Sequence, residues 1–256
     1  MNKDRAKELM RIFWDRKARE NAMYYISSYR AFDDQDPDEF WKWGRKLAEQ
    51  FLAESSIDFS GEEAMLEIGC GIGRMTAYFA ERFRSVHGLD VSPEMISQAG
   101  KSLAGYGNVT LHTGNGYDLS GLADASFDFV FSYIVFQHIP DPGITFRYIE
   151  ETGRVLKNGG YFYFQVNNSK ASWQTRLRLG TRWRAFLKSC GLSAQKPLPA
   201  EKAPPAAGPT DLDNPAWRGS RMSLAQLEAA CESAGLEITG LRGEGTQYLW
   251  VKAVKS

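Results

Sequence analysis

The sequence predicts an α/β protein built on a doubly wound, mostly parallel seven-stranded sheet with one antiparallel strand, preceded by a helical segment. Three observations carry this. Short apolar runs alternate with capped amphipathic segments, a glycine-rich turn follows the first run, and two strand-like runs close the chain.

Residues 1–60 read as helices placed before the sheet, and residues 61–256 as the sheet domain with an insertion at 168–222. Leu9, Ile12 and Phe13 suggest a first amphipathic helix. Asp36-Pro37-Asp38-Glu39 is a helix start, with a cap, a proline in the first turn and acids toward the positive end of the dipole. Phe40, Trp43, Leu47 and Phe51 follow at helical spacing and predict its buried face. A strand at 65–68 leads through glycines into a helix expected over 74–83. A second strand ends at Asp90, and Ser92-Pro93-Glu94 opens the next helix. The run at 108–113 is a β-branched third strand. The near-continuous apolar run at 127–132 is a fourth, of the kind covered on both faces. Asp141-Pro142 starts a helix expected to reach Lys157 and stop at Gly159-Gly160, before a fifth strand at 161–166. Ser223 to Gln226 has a capping-box pattern, and the runs at 236–241 and 246–254 form a closing hairpin.

The chemistry concentrates in Ala64 to Thr76. There Glu67 stands at the strand end, and Gly69, Gly71 and Gly73 turn the chain with the spacing G-x-G-x-G before Arg74. Bare backbone at such a turn lets a ligand approach closely. The dinucleotide pattern G-x-G-x-x-G is not met, and a carboxylate at Glu67 would repel a pyrophosphate while suiting a cation. Asp90, at the tip of the second strand, can accept hydrogen bonds from both hydroxyls of a ribose. A nucleoside carrying positive charge and no phosphates fits this pattern.

The chain has 256 residues, with Lys plus Arg equal to Asp plus Glu at 31 each, a balance that argues against extensive phosphate contacts. Cys70, Cys190 and Cys231 lack metal-ligand spacing, no metal is expected, and scattered free thiols suit a reducing cytoplasm. Cys70 reads as a small packing residue. No run is long and apolar enough for a membrane span, so a cytoplasmic protein without membrane contact is expected, as monomer or homodimer.

The stretches L-E-I-G-C-G-I-G-R, G-L-D-V-S-P-E-M, T-G-N-G-Y, S-F-D-F-V-F-S-Y-I-V-F-Q-H-I and V-L-K-N-G-G-Y-F-Y-F resemble, in order, the class I S-adenosylmethionine-dependent methyltransferases with their Rossmann-like fold. The resemblance spans residues 61–167, and more weakly 223–254. It implies that Glu67, the three glycines, Arg74 and Asp90 hold S-adenosyl-L-methionine (product S-adenosyl-L-homocysteine), and that Val91 and Met95 wall the adenine. It also implies that Asn115, where many relatives carry an acid, accepts from the adenine amino group, beside Gly116. A turn dipeptide is the alternative for Asn115-Gly116. Ser132, Tyr133, Gln137 and His138 fall at the mouth of the sheet, where the strand order reverses.

In this family an N-terminal helical segment often covers the cofactor. Tyr24, Tyr25, Trp41 and Trp43 would then either shape an acceptor pocket or simply pack helices onto the core. His138 is the histidine near the mouth and the candidate base, with a structural hydrogen bond as its alternative. From 170 to 196 basic residues, among them Arg176, Arg178, Arg182 and Arg184, alternate with Trp and Leu, and a proline-rich stretch follows. This stretch reads as a solvated face, or as a site in which Arg178 and Arg182 orient an anionic acceptor. The resulting expectation is a small-molecule methyltransferase. The alternatives are an RNA or protein methyltransferase using the basic insertion, an NAD(P)-dependent oxidoreductase, and a non-catalytic nucleotide-binding protein.

Overall fold

The computed structural model describes residues 3–27, 32, 33, 35–169 and 214–256. In chain order the elements are α1 (Lys3–Ser27), α2 (Pro37–Ser55), β1 (Ala64–Ile68), α3 (Thr76–Ala80), β2 (Ser85–Asp90), α4 (Pro93–Ser102) and β3 (Val109–Thr113). β4 (Phe127–Ser132), a 3₁₀ turn (Phe136–His138), α5 (Pro142–Val155), β5 (Leu156–Val166), α6 (Pro215–Arg218), α7 (Leu224–Ser233), β6 (Leu236–Arg242) and β7 (Leu249–Lys255) complete them. The strands form one seven-stranded sheet in the order β3-β2-β1-β4-β5-β7-β6. β7 pairs antiparallel with both β5 and β6, and the remaining pairs are parallel. This is the predicted topology.

β1 is an inner strand, and all five of its residues are buried. Its parallel partners are β2 and β4, so the strand order reverses between β1 and β4. Parallel strands covered on both faces need apolar side chains at every position. Glu67 is the exception in β1, and a buried carboxylate there calls for a functional explanation.

Three local expectations change. The helix after the glycine turn is short, Thr76–Ala80, with turns on either side. α5 ends at Val155 because Leu156 already pairs with Phe127 of β4. On α2 the buried face is Phe40, Gly44, Ala48 and Phe51, and Trp43 is 42% exposed. The small residues on that face let α2 approach the core closely, and the Trp43 indole sits to one side beside Lys46.

α1 is two helical pieces meeting at Asn21, whose backbone is extended (φ −170°, ψ 88°). The Asn21 side chain accepts from the Tyr24 N–H at 3.1 Å and donates to the Phe32 carbonyl at 2.8 Å. Asn21 therefore caps the second piece and bends it back over the sheet. The first piece docks through Asp15, a buried carboxylate that accepts from Ser92 Oγ at 3.1 Å and from the Glu94 N–H at 3.0 Å. A carboxylate against the N-terminal turn of α4 satisfies an open N–H and complements the dipole.

Replacing the cap should loosen the second piece alone. Asn21→Ala is expected to cost about 1 kcal/mol, the usual value of an N-cap. Denaturant unfolding gives the loss, and amide exchange should rise at residues 22–27 while the sheet stays protected.

Candidate functional site

The described cavity that matters opens at the carboxyl ends of β1, β2 and β4. Glu67, Ile68, Gly69 and Gly71 line it from the first turn, Asp90, Val91 and Met95 from the second, and Gly116 from the third. Tyr133, Val135 and His138 line it from the chain after β4, and Met10, Trp14, Tyr25 and Ile26 of α1 lie across it.

The glycine turn fits its role by geometry. Gly71 has φ +55°, and a Cβ there would stand 2.8 Å from Cδ1 of Ile26 in α1. At Gly69 (φ +79°) a Cβ would stand 2.1 Å from Cγ2 of Val135. Bare backbone is what allows the turn, the post-β4 chain and α1 to converge. Ile134, between Tyr133 and Val135, sits at φ +55°, an uncommon conformation for a β-branched residue, and it lines the same cavity.

Two carboxylates line the cavity, Glu67 buried and Asp90 half-buried. Asp90 accepts from the Gly71 N–H at 3.0 Å and from the Ser92 N–H at 2.9 Å, one on each oxygen. Each oxygen keeps a second lone pair for a ligand hydroxyl. Burial pushes the Asp90 carboxyl up to about 6 against these hydrogen bonds. Burial also pushes Glu67 up to about 8, opposed by the Thr76 hydroxyl, which donates at 2.6 Å, and by the Arg74 guanidinium. A cation placed beside them would restore both charges. Burial likewise raises the Cys70 thiol far above its usual value, which agrees with a packing role and not a nucleophilic one.

His138 donates from Nδ1 to the Trp217 carbonyl at 2.6 Å, since a carbonyl can only accept. Burial lowers its pKa, partly offset by that bond, so the ring is neutral near pH 7.

Several expected site residues stand elsewhere. Asn115 is exposed, and its amide oxygen accepts from the N–H groups of Tyr117 and Asp118, so it closes a turn and does not face the cavity. Ser132 Oγ donates to the Ile68 carbonyl at 3.1 Å and ties β4 to β1. Gly73 packs against Leu103, 2.6 Å from where its Cβ would be. Tyr24 packs on Tyr25 and Phe32, outside the cavity wall. Trp41 lines a separate hollow with Arg45, Tyr78 and Tyr106, and Arg74 lies between the two. Gln137 is outside the wall, its Oε1 buried without a hydrogen-bond partner among the described residues. Arg178 and Arg182 lie outside the described residues.

Met10, Trp14, Ile26 and Val135 are cavity residues that the sequence reading passed over. Val135 looks like a continuation of the apolar strand, and Met10 and Trp14 like part of a loosely periodic helix.

Residues 66–164 match the family model described as "Methyltransferase domain". A trans-aconitate 2-methyltransferase of Azoarcus sp. (strain BH72) is 28% identical over 217 residues, 84% of this chain and 79% of that protein. The chain carries a methyltransferase domain, with the fold of the S-adenosylmethionine-dependent methyltransferases. Another relative of this methyltransferase, a ubiquinone biosynthesis O-methyltransferase of Idiomarina loihiensis, is 27% identical over 54% of this chain and 57% of that protein. Other curated methyltransferases align over about half their own length. In fold, magnesium protoporphyrin IX methyltransferase from Synechocystis, solved with bound SAM, superposes with TM-score 0.58 at 15% identity, over 98% of this chain and 97% of that one.

The residues fit the cofactor: a bare turn, a ribose-ready carboxylate at Asp90, and a buried acid at Glu67 awaiting a cation. Glu67 gives a pH test for this methyltransferase. Its folded pKa is raised, so its contribution to stability is full below pH 4.5 and is lost as pH rises through about 8. Glu67→Gln should therefore stabilise the ligand-free protein near pH 8 by a few kcal/mol, at ~1.4 kcal/mol per pKa unit. Melting curves at pH 5 and pH 8 check this, and the gain should shrink at pH 5.

Proposed function

We propose that this methyltransferase moves the methyl group of S-adenosylmethionine to a small-molecule acceptor held under α1. One observation carries the reading. The cavity is bounded on one side by the glycine turn and Asp90 and on the other by Met10, Trp14, Tyr25 and Ile26, so the chain's own helix covers part of the reacting space. A concave apolar and aromatic wall of this kind suits a small organic molecule better than a large flat surface.

When bound, the cofactor supplies an activated methyl group on a sulfonium. The chain's task is then to bind, align and exclude water. Asp90 anchors the ribose, the backbone of Gly69 and Gly71 permits close approach, and Val91 and Met95 supply apolar walls. Glu67 and Asp90 provide negative charge in a site shielded from solvent, where it acts more strongly than in water. Holding donor and acceptor in line lowers a barrier by up to roughly 7–11 kcal/mol. α1 acts as the cover, held in place by the Asp15 contacts to Ser92 and Glu94.

Calorimetric titration with S-adenosylhomocysteine tests the site. Asp90→Ala should weaken binding by about 1.5–3 kcal/mol, the value of charge-assisted hydrogen bonds. That is a loss of roughly ten- to 150-fold. Gly71→Val should abolish binding, since its side chain meets Ile26 and its φ is positive. Parent-like affinity in both variants, or binding of NADH by the parent in place of S-adenosylhomocysteine, would overturn the reading.

A further inference from the structure

The returning end of the insertion packs behind the cavity wall through one short element. α6 presents Trp217 to His138 and α1: its ring lies 5.3 Å from that of His138, 6.1 Å from Trp14 and 6.3 Å from Tyr25. Trp14 lies 5.4 Å from the imidazole, edge to face. The imidazole and the two indoles thus form a three-ring cluster, each ring in contact with the other two.

The cluster is set by Gly219, directly after α6. Its backbone (φ 57°, ψ −157°) lies in a region open essentially to glycine. A Cβ there would stand 1.8 Å from the Gln137 carbonyl oxygen and 2.8 Å from the His138 Cα. This contact brings the Trp217 carbonyl to 2.6 Å from Nδ1. Nδ1 must then carry the proton, which leaves the lone pair on Nε2. Nε2 makes no hydrogen bond among the described residues, and His138 lines the cavity.

Resting on the methyl-transfer reading, we infer that His138 Nε2 takes the proton of an aromatic hydroxyl acceptor, and that α6, through Trp217 and Gly219, is the element that fixes the required tautomer. The chemistry selects the acceptor class. A carboxylate needs no base, so a tautomer-locked histidine would have no task. An ammonium would add positive charge to a cavity that already holds the Arg74 guanidinium. The faces of Trp14, Tyr25 and Tyr133 suit a flat ring. In the step, the acceptor O–H gives its proton to Nε2 as the oxygen bonds the methyl carbon. The carbon–sulfur bond breaks with its electron pair left on sulfur. A methyl ether, S-adenosylhomocysteine and an imidazolium result, and the imidazolium returns its proton to water.

Two measurements test this, after calorimetry has shown that the protein binds S-adenosylhomocysteine. If it does not bind, the methyl-transfer reading fails first. Nitrogen-15 NMR of the imidazole should show a pyrrole-like Nδ1 and a pyridine-like Nε2 for His138. Gly219→Ala should mix the tautomers with the sheet signals unchanged. An Nε2-protonated ring in the parent, or an unchanged tautomer in folded Gly219→Ala, overturns the role of α6. The second measurement compares catechol, neutral at pH 7.5, with 4-nitrocatechol, whose more acidic hydroxyl is already ionised. His138→Gln should lower kcat on catechol by about 10²-fold or more, as for loss of a general base, and on 4-nitrocatechol by less than about tenfold. Equal losses on both would make His138 merely structural. Methylation of trans-aconitate instead, of the nitrogen of tyramine, or of no probe at all overturns the acceptor class.

Discussion

The structure depends on holding two carboxylates, buried Glu67 and half-buried Asp90, at the ends of adjacent parallel strands. Unpaired acids in such a place are costly, and each is held by what surrounds it: Glu67 by the Thr76 hydroxyl, Asp90 by the N–H groups of Gly71 and Ser92. Those contacts do not remove the cost, since burial still pushes both groups upward, to about 8 and about 6. The ligand-free protein therefore stores an electrostatic penalty at neutral pH that a cationic nucleoside would relieve. Binding specificity and local instability here have the same origin.

The same hydrogen-bonded chain extends to the roof. Asp90 accepts from the Ser92 backbone, and the Ser92 hydroxyl donates to Asp15 of α1. α1 is thereby fixed to the turn that carries Asp90, and its second piece, turned by Asn21, brings Ile26 over Gly71. Cover and anchor share partners, so a change in one is felt by the other. α6 packs behind His138, so the wall of the site is backed by a late segment of the chain.

Much of this was legible locally. The glycine turn, the Asp90 strand tip, the caps at Asp36, Ser92, Asp141 and Ser223, and the closing hairpin all rest on short-range rules, and the fold followed from them. Asn115 shows the limit of a family pattern: with no acid there, its amide satisfies two neighbouring backbone groups, and local turn chemistry prevails. Ser132 and Gly73 sit in the right stretches, but a carbonyl of β1 and the side chain of Leu103 take them up. Trp43 was read from spacing alone, whereas Gly44 and Ala48 decide how α2 packs. The ring cluster of Trp14, His138 and Trp217 had no sequence signature, because it joins residues from distant parts of the chain. The basic stretch with Arg178 and Arg182 falls outside the described residues.

The central claim is that ligand binding restores charge to a site whose acids are partly protonated when empty. Titration calorimetry with S-adenosylmethionine at pH 7, in two buffers of different ionisation enthalpy, counts the protons exchanged. The account predicts release approaching one proton, fading above about pH 9 where the free protein is already ionised, and absent in Glu67→Gln. Binding at pH 7 with no proton release, or with the same release in Glu67→Gln, would contradict it.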